Sequence, residues 1–297
     1  MTKTSKKYLA ALAGLLILLY HCWVPIFKFG SVLGNAERFI LTTSFLGVDI
    51  FFFISAYSLA TRPVELKDYF SFILNRAARI LPLFFIALLF KKFLWFIPAI
   101  MIMYLVFPLA YRACIKRPGL SFILLIAIWA GITYLVLGVI KPSKDFGIFL
   151  FRIPIIILGG YAAKIDKEGM VSNKLKFLIG IVLLILGTFA LYQWGYLNRL
   201  NVPFKGTFYL VGIPSTIALV FIVTALAANA HSTIIEMVGE MTLELYFTQM
   251  VLGTFLTNTF YRLFQSRLIT NIFTLLIVTT ISLIIHEGYM KAMSRIK

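Results

Sequence analysis

The sequence predicts an all-α fold, a polytopic transmembrane helix bundle of about ten spans with both termini in the cytoplasm. Three observations carry this expectation. Hydrophobic residues make up 61% of the 297-residue chain, and its mean hydropathy is +0.96. Charged residues make up only 13%, where a soluble domain carries about a quarter. Apolar runs fill the chain between short basic loops, each near the roughly 20 residues that cross a bilayer. The pattern leaves no room for a soluble catalytic domain or a cleavable signal ahead of the first helix. A single integral-membrane domain over 1–297 is therefore expected, with its chemistry in or beside the bundle.

The first run, 8–27, carries no ionisable side chain besides His21 except the weakly acidic Tyr8, Tyr20 and Cys22. At 1.5 Å per residue it spans roughly 30 Å and places His21 about two-thirds of the way through. A titratable group at that depth is costly to hold, which makes it a functional candidate. The second run, 39–60, contains Gly47-Val48-Asp49-Ile50-Phe51-Phe52-Phe53-Ile54-Ser55, with Asp49 its one charge. A lone carboxylate there needs a partner. If the first two helices are neighbours, Asp49 fixes the tautomer of His21 and raises its basicity, the orienter and base of a catalytic site. The alternative is a structural hydrogen bond that staples two helices.

The third run, 72–90, reaches spanning length only if Arg76 and Arg79 snorkel to the headgroups; otherwise 72–92 stays inside and nine spans remain. Ten is favoured because the Arg pair beside Leu81-Pro82 starts a helix naturally, proline being tolerated in a first turn. Arg76 and Arg79, three apart, share nearly one helix face and suit either interfacial anchoring or phosphate oxygens. The runs 93–111, 119–140, 147–163, 175–194, 207–229, 241–261 and 268–288 complete the set, and Lys164 to Lys176 is read as a linker. In the later spans, Arg152 precedes Ile153-Pro154, and Glu236, Glu240 and Glu244 recur every four residues on one face. His286-Glu287 lies near the end of the last span. Arg152, Glu244 and Tyr20 are thus further intramembrane polar candidates.

The net charge of +17 comes from 28 Lys and Arg against 11 Asp and Glu. The basic residues are scattered among helix-flanking loops rather than gathered into a stripe, which points to membrane lipids and orientation and not to nucleic acid. Cys22 and Cys114 alone support neither a disulfide framework nor a metal site.

Together these elements resemble the integral-membrane acyltransferase-3 family, which includes bacterial O-acetyltransferases of surface polysaccharides. The resemblance rests on Tyr20-His21, the Gly47 to Ser55 run, Arg76-Ala77-Ala78-Arg79-Ile80-Leu81-Pro82, and Leu94-Trp95-Phe96-Ile97-Pro98 with Tyr104 and Pro108. Arg152-Ile153-Pro154 with Gly159, and Thr242-Leu243-Glu244-Leu245-Tyr246, extend it in order along nearly the whole chain. It implies a multi-pass protein of the bacterial cytoplasmic membrane that moves an acyl group, usually acetyl, from cytoplasmic acyl-CoA to a hydroxyl of a glycan or lipid-linked glycan. The donor is then a substrate such as acetyl-CoA, and no permanently bound cofactor is expected. The resemblance makes His21 the base, with Asp49 as its orienter, and sets Arg76 and Arg79 near the donor. The family's Arg eleven residues before the His is Ala10 here; Lys7 falls within about 40° of the same face and is the substitute charge. Its late His is Gln249, the Gly after the second-helix Ser is Ala56, and Lys91-Lys92 stands where a longer connection is usual. A catalytically degenerate member, or a transporter or flippase of lipid-linked intermediates, is the alternative.

Overall fold

The computed structural model describes residues 1–92, 94–114, 118–140, 143–169, 171–197, 205–228 and 230–296. It is helical over 86% of its length, with no strand among the described residues. Among those residues, seven segments are long and apolar enough to cross a membrane: Val32–Thr61, Leu66–Leu89, Gly119–Ile140, Asp145–Lys167, Asn173–Trp194, Phe208–Leu226 and Arg267–Ala292.

The helices follow the apolar runs, but several runs are divided. The first helix, α1 (Lys3–Cys22), stops five residues before the expected end, ahead of Pro25. The second run begins earlier than expected, as α2 (Val32–Thr43), where the Ser31 hydroxyl accepts from the Gly34 N–H. It breaks at Ser44-Phe45 before α3 (Leu46–Thr61). The third run is a full helix, α4 (Tyr69–Leu89), yet Pro82 lies deep in its interior and not in a first turn as expected. The helix begins at Tyr69 because apolar residues stand ahead of the Arg pair as well as after it. At its end, Lys91 adopts φ +56°, and the Lys92 N–H reaches back to the Ala87 carbonyl at 3.0 Å. This is a Schellman stop, which satisfies carbonyls at the end of α4.

Beyond it come α5 (Phe96–Cys114) and α6 (Pro118–Leu135), the latter continued by a π-helical turn, Val136–Ile140. The run 147–163 divides at Phe151-Arg152 into α7 (Lys144–Leu150) and α8 (Ile153–Lys167), with Pro154 in the first turn of α8. Then follow α9 (Asn173–Leu197), α10 (Phe208–Val211), α11 (Ile213–Leu226) and α12 (Thr233–Glu240). The run 241–261 becomes α13 (Thr242–Thr248), a π-helical turn Gln249–Gly253, and α14 (Thr254–Phe264). The last helix, α15 (Arg267–Ile296), is longer than its apolar run. The expected limits Phe93 and Asn229 lie outside the described residues.

The chain divides into two compact units. One comprises Met1–Lys6, Asp49–Leu81 and Trp95–Ala230, the other Lys7–Val48, Pro82–Leu94 and His231–Lys297. In the first unit the Asp145–Lys167 segment is 61% buried and the Gly119–Ile140 segment only 6%, so α8 is an inner helix and α6 an outer one. Phe52 packs on Phe96 and Phe149, and a Cβ on Gly159 would lie 2.5 Å from the Phe53 carbonyl oxygen. Glycine lets α3 and α8 approach this closely. In the second unit Leu18, Cys22, Leu245 and Val278 pack together, joining α1, α13 and α15. A Cβ on Gly47 would lie 2.5 Å from the Ala13 carbonyl, which accounts for the glycine opening the second-helix motif.

Candidate active site

His21 belongs to the second unit and sits at the last turn of α1, its ring exposed and edge-to-face with Tyr20 at 5.0 Å. A helix that ends here leaves backbone groups without intrahelical partners. Side chains from three other helices take them. Thr257 donates its hydroxyl to the Cys22 carbonyl at 3.3 Å. Asn271 accepts from the Val24 N–H at 2.9 Å and donates to the Val24 carbonyl at 2.8 Å. Glu37 accepts from the N–H groups of Ile26 and Phe27 and from the Trp23 indole at 2.8 to 3.0 Å. Arg267 donates to the Pro25 carbonyl at 3.0 Å. The segment after His21 is thereby fixed without being helical, and the imidazole stands at a rigid edge.

None of Glu37, Thr257 and Asn271 was expected from sequence. Pro25 four residues beyond His21 was the available signal: a break there creates carbonyls and N–H groups that need polar partners.

Lys7, expected to meet the donor, is held by Glu236 at 2.7 Å and Glu240 at 2.8 Å. These contacts raise its pKa above the ordinary lysine value, the Glu236 hydrogen bond most of all. Glu244, fully buried, faces His286 with Oε1 3.3 Å from Nδ1. The acidic face foreseen from the four-residue spacing thus meets Lys7 of α1 and His286 of α15. Gln249, which stands where the family carries its late histidine, is 2% exposed, and both its amide atoms lack hydrogen-bond partners among the described residues.

Asp49 belongs to the first unit, where Oδ1 accepts from Arg152 Nη1 in a fully buried ion pair. From the sequence, the carboxylate was expected to meet His21; the partner it takes is Arg152, a polar candidate in its own right, 103 residues along the chain. The guanidinium also lies over the rings of Tyr209 and Trp95, at 4.6 and 5.7 Å. Two ring faces and a carboxylate make this an enclosed charge pair well suited to holding α3 on α8.

Arg76 is exposed, its guanidinium over Phe72 at 5.3 Å and over Tyr104 at 5.2 Å. Arg79 is half-buried one turn on. The two rings, edge-to-face with each other, flank the exposed guanidinium, whose planar fork suits bidentate contacts to phosphate. Lys6 and Arg62 add positive charge to this unit, Lys6 lying over Tyr57 at 5.4 Å, with its pKa lowered by burial and then by Arg62. Neither residue stood out in the sequence.

A family model described as an acyltransferase domain matches residues 7–93 and 90–287. No curated protein and no solved structure matches the chain.

Proposed function

Because the chain belongs to the acyltransferase-3 family, we propose that it moves an acyl group, in the simplest case acetyl, from a cytoplasmic acyl-CoA to a hydroxyl of a surface or lipid-linked glycan. In this reading it lies in the bacterial cytoplasmic membrane with about ten crossings and both termini inside. His21 removes the proton of the acceptor hydroxyl as the oxygen attacks the thioester carbonyl, and the tetrahedral adduct collapses with departure of the CoA thiolate, which takes up the proton. Arg76 and Arg79 hold phosphates of the donor. Asp49, through Arg152, holds α3 on α8, and Lys7 is held by Glu236 and Glu240.

The observation that carries this reading is the exposed imidazole at the end of α1, backed by a peptide segment tied at Cys22, Val24 and Ile26. A general base must be held still and open to its substrate. A second reading, donor binding without turnover, is favoured by one observation: Gln249 is buried and offers no titratable group in place of the family's histidine.

Radiolabelled acetyl-CoA, purified protein in detergent and a crude surface-glycan acceptor pool distinguish the two, with wild type beside His21→Ala. Label transferred by wild type alone supports His-dependent acyl transfer. Equal transfer by both proteins removes His21 from the mechanism, and donor binding without product by the folded wild type favours the second reading.

A further inference from the structure

Within the first unit, a ring contact and a hydrogen bond tie α6 to its neighbours. Near its start Phe122 meets Tyr161 of α8 edge-to-face at 4.8 Å, and a few turns on the Trp129 indole donates to the Leu150 carbonyl at 2.7 Å. Alongside these ties, α5, α6 and α8 together line a cavity of about 270 Å³. Its walls include Val106 and Ala110 of α5, Ile128 of α6 and Ile156 of α8, and its one charged lining residue is Lys164.

We propose that this slot binds one hydrocarbon chain of an anionic glycerophospholipid, whose phosphate is held by Lys164. The inference stands apart from the acyl-transfer reading and concerns a lipid that is neither donor nor acceptor.

Shape supports a single chain. Along α8 the slot runs from Ile153 to Lys164, and at 1.5 Å per residue that is about 16 Å, close to half of a roughly 30 Å hydrocarbon core. A chain entering beside Lys164 therefore reaches the bilayer midplane within the slot. Chemistry excludes the simpler occupants. Apolar walls give water too few partners, and an empty gap forfeits dispersion contacts on every wall. In a membrane, lipid chains are the abundant filler, and α6 is exposed along most of its length.

Lys164 decides the headgroup. Its contact with Glu168 is 3.8 Å long, one turn apart on the same helix, and both side chains are about a third or more exposed. Such a pair holds an ammonium loosely and yields it to a phosphate. Tyr111 and Tyr161, which also line the slot, come from the same end of their helices, in the aromatic position typical of headgroup level.

The test is photo-cross-linking of the full chain in detergent with two probes, a phosphatidylglycerol and a phosphatidylcholine, each carrying a diazirine at the end of one acyl chain. The expected result is label concentrated in peptides containing 125–132 and 149–157, stronger with the glycerol headgroup, that preference lost in Lys164→Gln. Ala110→Phe fills the slot from α5 and Ile128→Trp fills it from the lipid-facing helix. Whichever variant elutes as a folded, monodisperse species should lose the slot label. Equal labelling by both headgroups, label spread as strongly over 178–192 of α9, or undiminished slot label in a folded filled variant overturns the proposal.

Discussion

Asn271 and Val24 exchange two hydrogen bonds, the side-chain amide of α15 standing in for the peptide that would have continued α1. Asn271 is fully buried, so water cannot readily replace it. Asn271→Leu leaves the Val24 N–H and carbonyl without partners, at a cost of about 1 to 3 kcal/mol for each group left unsatisfied in a buried setting. Thermal unfolding in detergent should show the loss. If the bonds position His21, kcat should also fall by about tenfold with donor KM nearly unchanged, as expected when geometry and not binding is lost. A lower melting temperature with normal kcat would reduce Asn271 to a structural staple.

The Asp49 and Arg152 pair predicts an asymmetry between single and double substitutions. Removing either partner strands a buried charge, so Asp49→Leu or Arg152→Met should destabilise the protein by about 3 to 5 kcal/mol. Replacing both, Asp49→Leu with Arg152→Met, should recover most of that stability, because an apolar pair carries no desolvation cost. Denaturant titration of the three variants gives the coupling directly. Additive losses in the double variant would mean that the two residues do not act as a pair.

Much of this arrangement was legible in the sequence. The helical class follows from apolar runs of bilayer length, a property of composition that tertiary contacts do not alter. The polar groups of the buried pairs in each unit were visible as well: Asp49, Arg152, Glu244 and His286 all interrupt apolar runs. Their pairing was not, since Asp49 meets Arg152 across 103 positions and hydropathy does not register distance in the chain. The same reason hid Lys7, whose neighbours were foreseen as an acidic face without a known cation. Breaks at Ser44-Phe45 and Phe151-Arg152 were missed because a window long enough to detect a span averages over a single turn of kinked helix. Pro82 misled in the opposite direction, marking an interior position where the local rule placed a helix start.

Arg76 and Arg79 separate charge from shape. Arg76→Ala should raise the donor KM by about tenfold, the loss of one charge-assisted contact, with kcat little changed. Arg76→Lys keeps the charge but gives up the guanidinium's contacts with the Phe72 and Tyr104 rings and its bidentate edge. It should therefore recover only part of the donor affinity. Full recovery in initial-rate measurements would show that a point charge suffices and that the ring contacts are incidental.

The last prediction concerns Lys7 and pH. Hydrogen bonds to Glu236 and Glu240 raise its pKa above the ordinary value of 10.5. A lysine stabilised in its charged form contributes to stability as long as it is protonated in both folded and unfolded chains. Its contribution is therefore complete below about pH 10.5 and is lost as pH rises through the higher folded value. The melting temperature of wild type minus that of Lys7→Met should be constant from about pH 7 to about pH 10 and should shrink above it. Added salt should shrink it at every pH, because the contacts lie near the surface. In the acyl-transfer assay the same variant tests the role expected from sequence. With both carboxylates already engaging the ammonium, Lys7→Met should leave donor KM unchanged, and a rise as large as that of Arg76→Ala would return Lys7 to the donor site.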